Sequence, residues 1–266
     1  MYKKIIIPIE KENDSELMVY YASKFLKKGG IMVPIHIIDT KKAPEVMRRW
    51  RNSVNIILPT YETGAELGIT VEPHVRSAKT IPDGILELVD EVSADSIFML
   101  LKNVKYTNKL FFTTVIDSVL RYSKVDVLVT NRLALISKKS NEKLLIPFIG
   151  NKPPERLLKF AKNFTDKNGG SIILININVK NSKNGGVGKN IVKGMKYFVK
   201  QIILAPYNIV NSKTVVDAIM KEVKKENYGT ILISEDIFGG KYIISHVKVL
   251  DYLAKKAPCP VLFLKR

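Results

Sequence analysis

Lys4-Ile5-Ile6-Ile7-Pro8-Ile9 returns in the second half of the chain as Lys143-Leu144-Leu145-Ile146-Pro147-Phe148. A short run that is apolar throughout and closed by proline fits a strand buried on both faces. The repetition continues at the same spacing, with Ala22, Phe25 and Gly30 returning as Ala161, Phe164 and Gly169. Further on the spacing shortens by a few residues. Thr80-Ile81-Pro82-Asp83 then corresponds to Thr214-Val215-Val216-Asp217, Ser96-Ile97-Phe98-Met99 to Thr230-Ile231-Leu232-Ile233, and Val127-Leu128 with Arg132 to Val261-Leu262 with Arg266. Similarity on this scale means one domain present twice. The polar stretch Ser137-Lys138-Lys139-Ser140-Asn141 marks the join, so the expected domains are 1–135 and 136–266.

Within the first half, β-branched runs alternate with segments of helical period. Strands are predicted near 3–9, 31–38, 69–75, 96–101 and 125–130, and helices near 14–28, 44–58, 80–93 and 112–123. Asn13, Asp14 or Ser15 is placed to cap the first helix, and Gly29-Gly30 and Gly169-Gly170 to end the first helix of each half in a left-handed conformation. Doubly apolar strands such as Ile31-Met32-Val33-Pro34-Ile35 call for a parallel sheet between two helical layers. The expected fold is therefore α/β, two tandem doubly wound domains of five parallel strands each.

A chain of 266 residues with 46% hydrophobic and 26% charged residues has the composition of a globular protein, with no apolar run approaching the length of a membrane span. The start, Met1-Tyr2-Lys3-Lys4-Ile5-Ile6-Ile7-Pro8, lacks the length and cleavage site of a signal peptide, so a cytoplasmic location is expected. The lone Cys259 excludes an internal disulfide and reads as a small buried residue opening a strand. The net charge of +18 is the compositional outlier. It comes from Lys spread along the chain without interleaved aromatics, which fits a solvated surface better than a nucleic-acid site. In the basic patch Arg48-Arg49-Trp50-Arg51, Trp50 shares helical spacing with Val46, Met47, Val54 and Ile57 and is expected in the core.

Nothing in the sequence assembles a catalytic set. Asn184-Gly185-Gly186-Val187-Gly188-Lys189-Asn190 departs from the phosphate-loop pattern at Lys183 and Asn190 and reads as a connection. His36, His74 and His246 have no paired nucleophile or metal-ligand spacing, and only His36 lies near a strand's carboxyl end, where open α/β sheets bind ligands. Asp14, Asp83, Asp90, Asp117 and Asp217 fall on helices at surface spacing. No metal site and no enzyme activity are expected.

Ile-Pro closing the first strand, the helix start Thr80-Ile81-Pro82-Asp83-Gly84-Ile85 before Ala94-Asp95-Ser96-Ile97, and the ending Ala257-Pro258-Cys259-Pro260-Val261-Leu262 resemble the universal stress protein family over nearly the whole chain, twice. The resemblance implies a Rossmann-like, adenine nucleotide alpha hydrolase-like domain. It also implies an internal pseudo-dimer of the two halves through their last strands; the sequence itself leaves open a homodimer as a further level of assembly. Members of that family that bind ATP carry an Asp after the first strand and Gly-x2-Gly-x9-Gly-Ser/Thr after the fourth, because bare α-carbons let backbone N–H groups reach phosphate oxygens. Carried over, the Asp position falls on Glu10 and Ile149. The glycine and hydroxyl positions fall on Leu100, Asn103, Thr113 and Thr114, and in the second half on Ser234, Ile237, Val247 and Lys248. The expectation is a stress-response or signalling module without an ATP cofactor. The first alternative is an altered adenine-nucleotide site at Glu10, Asn103, Thr113 and Thr114, and the second is a basic protein associated with nucleic acid.

Overall fold

The computed structural model describes residues 1–40, 46–101, 114–131, 143–149, 153–179, 207–212, 214–234 and 243–264. The chain divides into two compact units, with the main break between Leu128 and Val129. The first half of the chain contains β1 (Tyr2–Pro8), a 3-10 turn (Glu12–Asp14), α1 (Ser15–Ser23), β2 (Leu26–Asp39), α2 (Val46–Glu66), β3 (Thr70–Val71), β4 (His74–Ala78), α3 (Ile81–Glu91), β5 (Ser96–Leu101), α4 (Thr114–Tyr122) and β6 (Asp126–Asn131), the strand within which that break falls. Its strand order is β3-β2-β1-β5-β6, with β4 also paired to β2. The second contains β7 (Lys143–Phe148), α5 (Glu155–Asn168), β8 (Ser171–Val179), β9 (Tyr207–Ser212), α6 (Val215–Lys225), β10 (Thr230–Ser234), α7 (Ile243–Lys256) and β11 (Val261–Leu264), in the order β9-β8-β7-β10-β11. The ladders β1–β2, β1–β5, β2–β4, β7–β8, β8–β9, β7–β10 and β10–β11 are all parallel.

The central strands are where the sequence is most apolar. Ile5, Ile6 and Ile7 are fully buried, and so are their counterparts Leu144, Leu145 and Ile146. Burial on both faces requires helices on both. In the first unit α1 packs on α2 and α3 on α4, the two pairs that right-handed crossovers place on opposite faces once the strand order reverses at β1. Phe25 and Phe98 stack with ring centroids 6.2 Å apart inside this core. The repeated Thr-x-x-Asp starts its helix in both halves by the same bond. Thr80 Oγ1 accepts from the Asp83 N–H at 3.3 Å, and Thr214 Oγ1 from the Asp217 N–H at 3.1 Å.

Four local expectations need correction. Helix α1 ends at Ser23, and Gly29, with φ +71°, lies inside β2 rather than at a helix end. Phe25 and Leu26 are both buried, so the chain turns into the sheet early. Between the pairs Tyr2–Leu26 and Lys4–Ile31 the second strand advances five residues while β1 advances two, and the excess bulges out at the glycines. In the second half Thr165-Asp166-Lys167 extends the helix, and Gly169, with φ +78°, ends α5 as expected. Asp14 occupies the cap position of α1 without a side-chain capping bond, and it is buried rather than on the surface. The predicted strand 69–75 is two strands interrupted at Glu72-Pro73.

The fourth correction concerns α2. It continues through Pro59 to Glu66, and Trp50 and Val54 are exposed. The buried face is the neighbouring row Ser53, Ile57, Thr60 and Gly64, one residue or about 100° around the helix. Small and hydroxyl residues line that row because the helix lies close to the sheet: a Cβ on Gly64 would stand 2.1 Å from Val71 Cγ2. Ser15 Oγ donates to the Ile56 carbonyl at 2.7 Å, and Thr60 Oγ1 donates back to the Ile57 carbonyl at 2.5 Å, so the polar groups on this side are satisfied.

Gly64→Ala should lower the unfolding free energy by about 1–3 kcal/mol, because stiff, β-branched Val71 cannot rotate away, and urea denaturation will measure it. Cys259 is 3% exposed, and burial pushes its thiol up to about 12. In native buffer it should resist a disulfide reagent and react fully in denaturant. The stability that its protonated form lends is complete below the ordinary value of 9.0 and is lost as pH rises through about 12.

Candidate functional site

In each unit the strand order reverses beside the first strand, and the carboxyl ends flanking such a reversal form the ligand crevice of open α/β sheets. Its geometry comes from unequal ladders. β1 pairs with β2 from Lys4–Ile31 through Pro8–Ile35, whereas it pairs with β5 only at Ile5–Ser96 and Ile6–Ile97. The second unit does the same: β7 pairs with β8 over six residues and with β10 only at Leu144–Thr230 and Leu145–Ile231. The first and fourth strands are thus fastened at their amino ends and unpaired beyond. Asp95 tightens that end in the first unit, its two carboxylate oxygens accepting from the Lys3 and Lys4 N–H groups at 2.8 and 3.0 Å. Asp95 N–H donates to the Lys4 carbonyl, and in the second unit Gly229 keeps only the equivalent main-chain bond, to Lys143.

At the open end, the turn after β1 is pinned on both sides to β2. Ile9 N–H donates to the Ile35 carbonyl at 2.8 Å, and the Ile9 carbonyl lies 2.9 Å from His36 Nδ1. A carbonyl can only accept, so that ring nitrogen carries the proton and Nε2 is the ring's other polar position. His36 is half-buried, and it holds the turn from which Glu10 extends into solvent. Leu100 is half-buried near the end of β5, and Thr114 is the first residue of α4. The structure therefore brings Glu10, His36 and Leu100 to one carboxyl edge. Asn103, Thr113, Ile237 and the glycine run 184–190 lie outside the described residues.

In the second unit the matching edge is more apolar. Phe148 is buried, Ile149 is exposed where Glu10 stands in the first unit, and Ser234 is buried with no hydrogen-bond partner for its Oγ among the described residues. Asn176, paired with Phe148, occupies the register of His36, a correspondence that residue identity hides and the β7–β8 ladder reveals. The strongly perturbed phenol, Tyr228, lies at the opposite edge. Burial raises it first, followed by the Glu222 carboxylate, to which its hydroxyl donates at 3.1 Å. No group of three or more His, Cys, Asp or Glu among the described residues is placed to hold a metal ion.

Residues 1–131 match the model of the universal stress protein family. The first half of the chain belongs to that family. No curated protein matches the chain. Among solved structures, a universal stress protein from Archaeoglobus fulgidus DSM 4304 superposes with a TM-score of 0.76 at 17% identity, covering 99% of this chain and 96% of its own. A putative universal stress protein from Pseudomonas aeruginosa UCBPP-PA14 gives 0.71 at 12% identity, covering 99% and 93%. The cytoplasmic domain of a prokaryotic cation chloride cotransporter gives 0.63 at 10% identity, covering 100% and 96%. At these identities the likeness is one of fold, and it extends the universal stress protein architecture over both halves. No helix among the described residues is long and apolar enough to cross a membrane.

His36→Ala should cost about 1 kcal/mol and speed amide exchange around residues 9–14, whereas His36→Asn, the choice found at Asn176, should retain most of the protection. Hydrogen exchange read by mass spectrometry distinguishes the two.

Proposed function

We propose that the chain is a tandem universal stress protein-like module, arisen by duplication and working in the cytoplasm as a binding or signalling protein rather than an enzyme, without ATP held in the family's manner. The observation that carries this reading is Leu100. It is half-buried at the end of β5, where the ATP-binding pattern asks for glycine, and its side chain takes up the room that a phosphate needs beside the backbone. The second half supports the same reading, since exposed Ile149 replaces the acid that would accept from a ribose and Ser234 stands at the first glycine position. The residues present do not fit a triphosphate, and what the two crevices offer instead differs: an acid beside a pinned imidazole in the first, an apolar lip over a buried amide in the second.

Thermal melting of the full chain with and without millimolar ATP and Mg²⁺ tests the proposal. A nucleotide at a hundred times its dissociation constant would add about 2.7 kcal/mol, and no shift is expected. A shift abolished by Glu10→Ala would favour the altered first-half site at Glu10, Asn103, Thr113 and Thr114, and a nucleotide found by mass spectrometry on the purified protein would overturn the ligand-free reading. Binding to DNA or RNA that collapses between about 50 and 200 mM salt would mark the basic surface as the functional one.

A further inference from the structure

Helix α2 exposes Trp50 (38%), Val54 (55%), Leu58 (50%) and Tyr61 (56%), four large apolar side chains on one face of a 21-residue helix. They recur at the i, i+4, i+8, i+11 spacing of a stripe that packs against another helix. The helix also carries its charge the wrong way round for its own dipole. Arg48, Arg49 and Arg51 fall in its first turns and Glu62 and Glu66 in its last, with no acid in the first turn and no base in the last. Arg51, Glu62 and Glu66 are exposed and have no ion-pair partner among the described residues. Beside the acidic end, Glu16, Tyr20, Glu62 and Glu66 line an open cleft between α1 and α2, in a chain whose net charge is +18.

Both features are self-complementary about one point. Val54 and Leu58 lie two residues either side of Ile56, Arg51 and Tyr61 lie five, and Trp50 and Glu62 lie six. A two-fold axis crossing the exposed face between Val54 and Leu58, level with Ile56 along the helix, therefore sets each Leu58 on the other copy's Val54, each Trp50 at the other's Tyr61 and Glu62, and the basic start of each helix over the acidic cleft of the other. The geometry points to α2 as an isologous interface, along which a second copy of this chain packs its own α2 antiparallel. A helical stripe is close to symmetric about its own midpoint, and here the charges reverse about that same midpoint, Arg51 on one side and Glu62 on the other. An antiparallel copy also supplies the opposite charges that each end of the helix lacks. Two helices in contact over four side chains each bury less than a standard protein interface, so the association is weak and reversible, in the micromolar range.

Sedimentation velocity on the full chain, from low micromolar to several hundred micromolar, should show a reversible monomer–dimer equilibrium that weakens with salt. Leu58→Asp should raise the dissociation constant at least about tenfold with little change in melting temperature, since the position is half-exposed in the monomer. Arg51→Glu and Glu62→Arg should each weaken the dimer, and the double exchange should restore it, because the opposed pairs are then reversed together. A chain that remains monomeric at the highest concentration overturns the proposal, whatever other partner the face takes. So does a dimer indifferent to Leu58→Asp, or a double exchange no better than either single one.

Discussion

The fold depends on holding the first and fourth strands of each half together at one end only. In the first unit Asp95 and the short Ile5–Ile6 ladder bind β5 to β1 at their amino ends, and beyond Ile97 the pairing stops while β1 continues against β2 to Pro8. A right-twisted sheet whose order reverses at that junction sends its helices to opposite faces, so a crevice forms between the carboxyl ends. The crevice is thus a topological by-product of a buried apolar core, present in both halves whatever side chains line it. That is why the fold persists where the phosphate-binding glycines do not.

The two crevices have kept their frame and changed their lining. His36 and Asn176 share a register beside the end of the first strand, and each brings a polar side chain to an otherwise apolar ladder. Beside them Glu10 gives way to Ile149, and at the opposite end of the strands Asp95 gives way to Gly229. A polar edge suits a small charged or hydrogen-bonding ligand, and an edge carrying exposed Ile149 suits an apolar contact. The corresponding edges of the two halves therefore offer different contacts.

Much of this was legible in the residues. The repeated Lys-apolar-Pro strand, the helix start at Thr80-Ile81-Pro82-Asp83 and the buried Cys259 stand where the sequence places them, because each rests on local chemistry that tertiary context does not override. The failures share a cause. Trp50 and Val54 make a better apolar row than Ser53, Thr60 and Gly64, yet the smaller row is buried, because close approach of a helix to a sheet selects for size before hydrophobicity. Gly29 carries the expected positive φ but spends it on a bulge, since what precedes it is the buried pair Phe25-Leu26 rather than a polar helical turn. In the candidate site, residue identity gave the positions of Glu10 and Leu100. The pinning of Ile9 by His36, and the equivalence of His36 with Asn176, depend on strand register, which no single segment encodes.

The bulge at Gly29 reaches further than its own strand. By letting Leu26 pair with Tyr2, it extends β1 toward its amino end and brings the Tyr2 hydroxyl to Asp126, 2.9 Å away in space and 124 residues away in the chain. A ribosome making this protein releases the earliest strand long before the acid that anchors it exists. That bond closes a loop spanning nearly the whole first half, so it can form only once β6 has been synthesised.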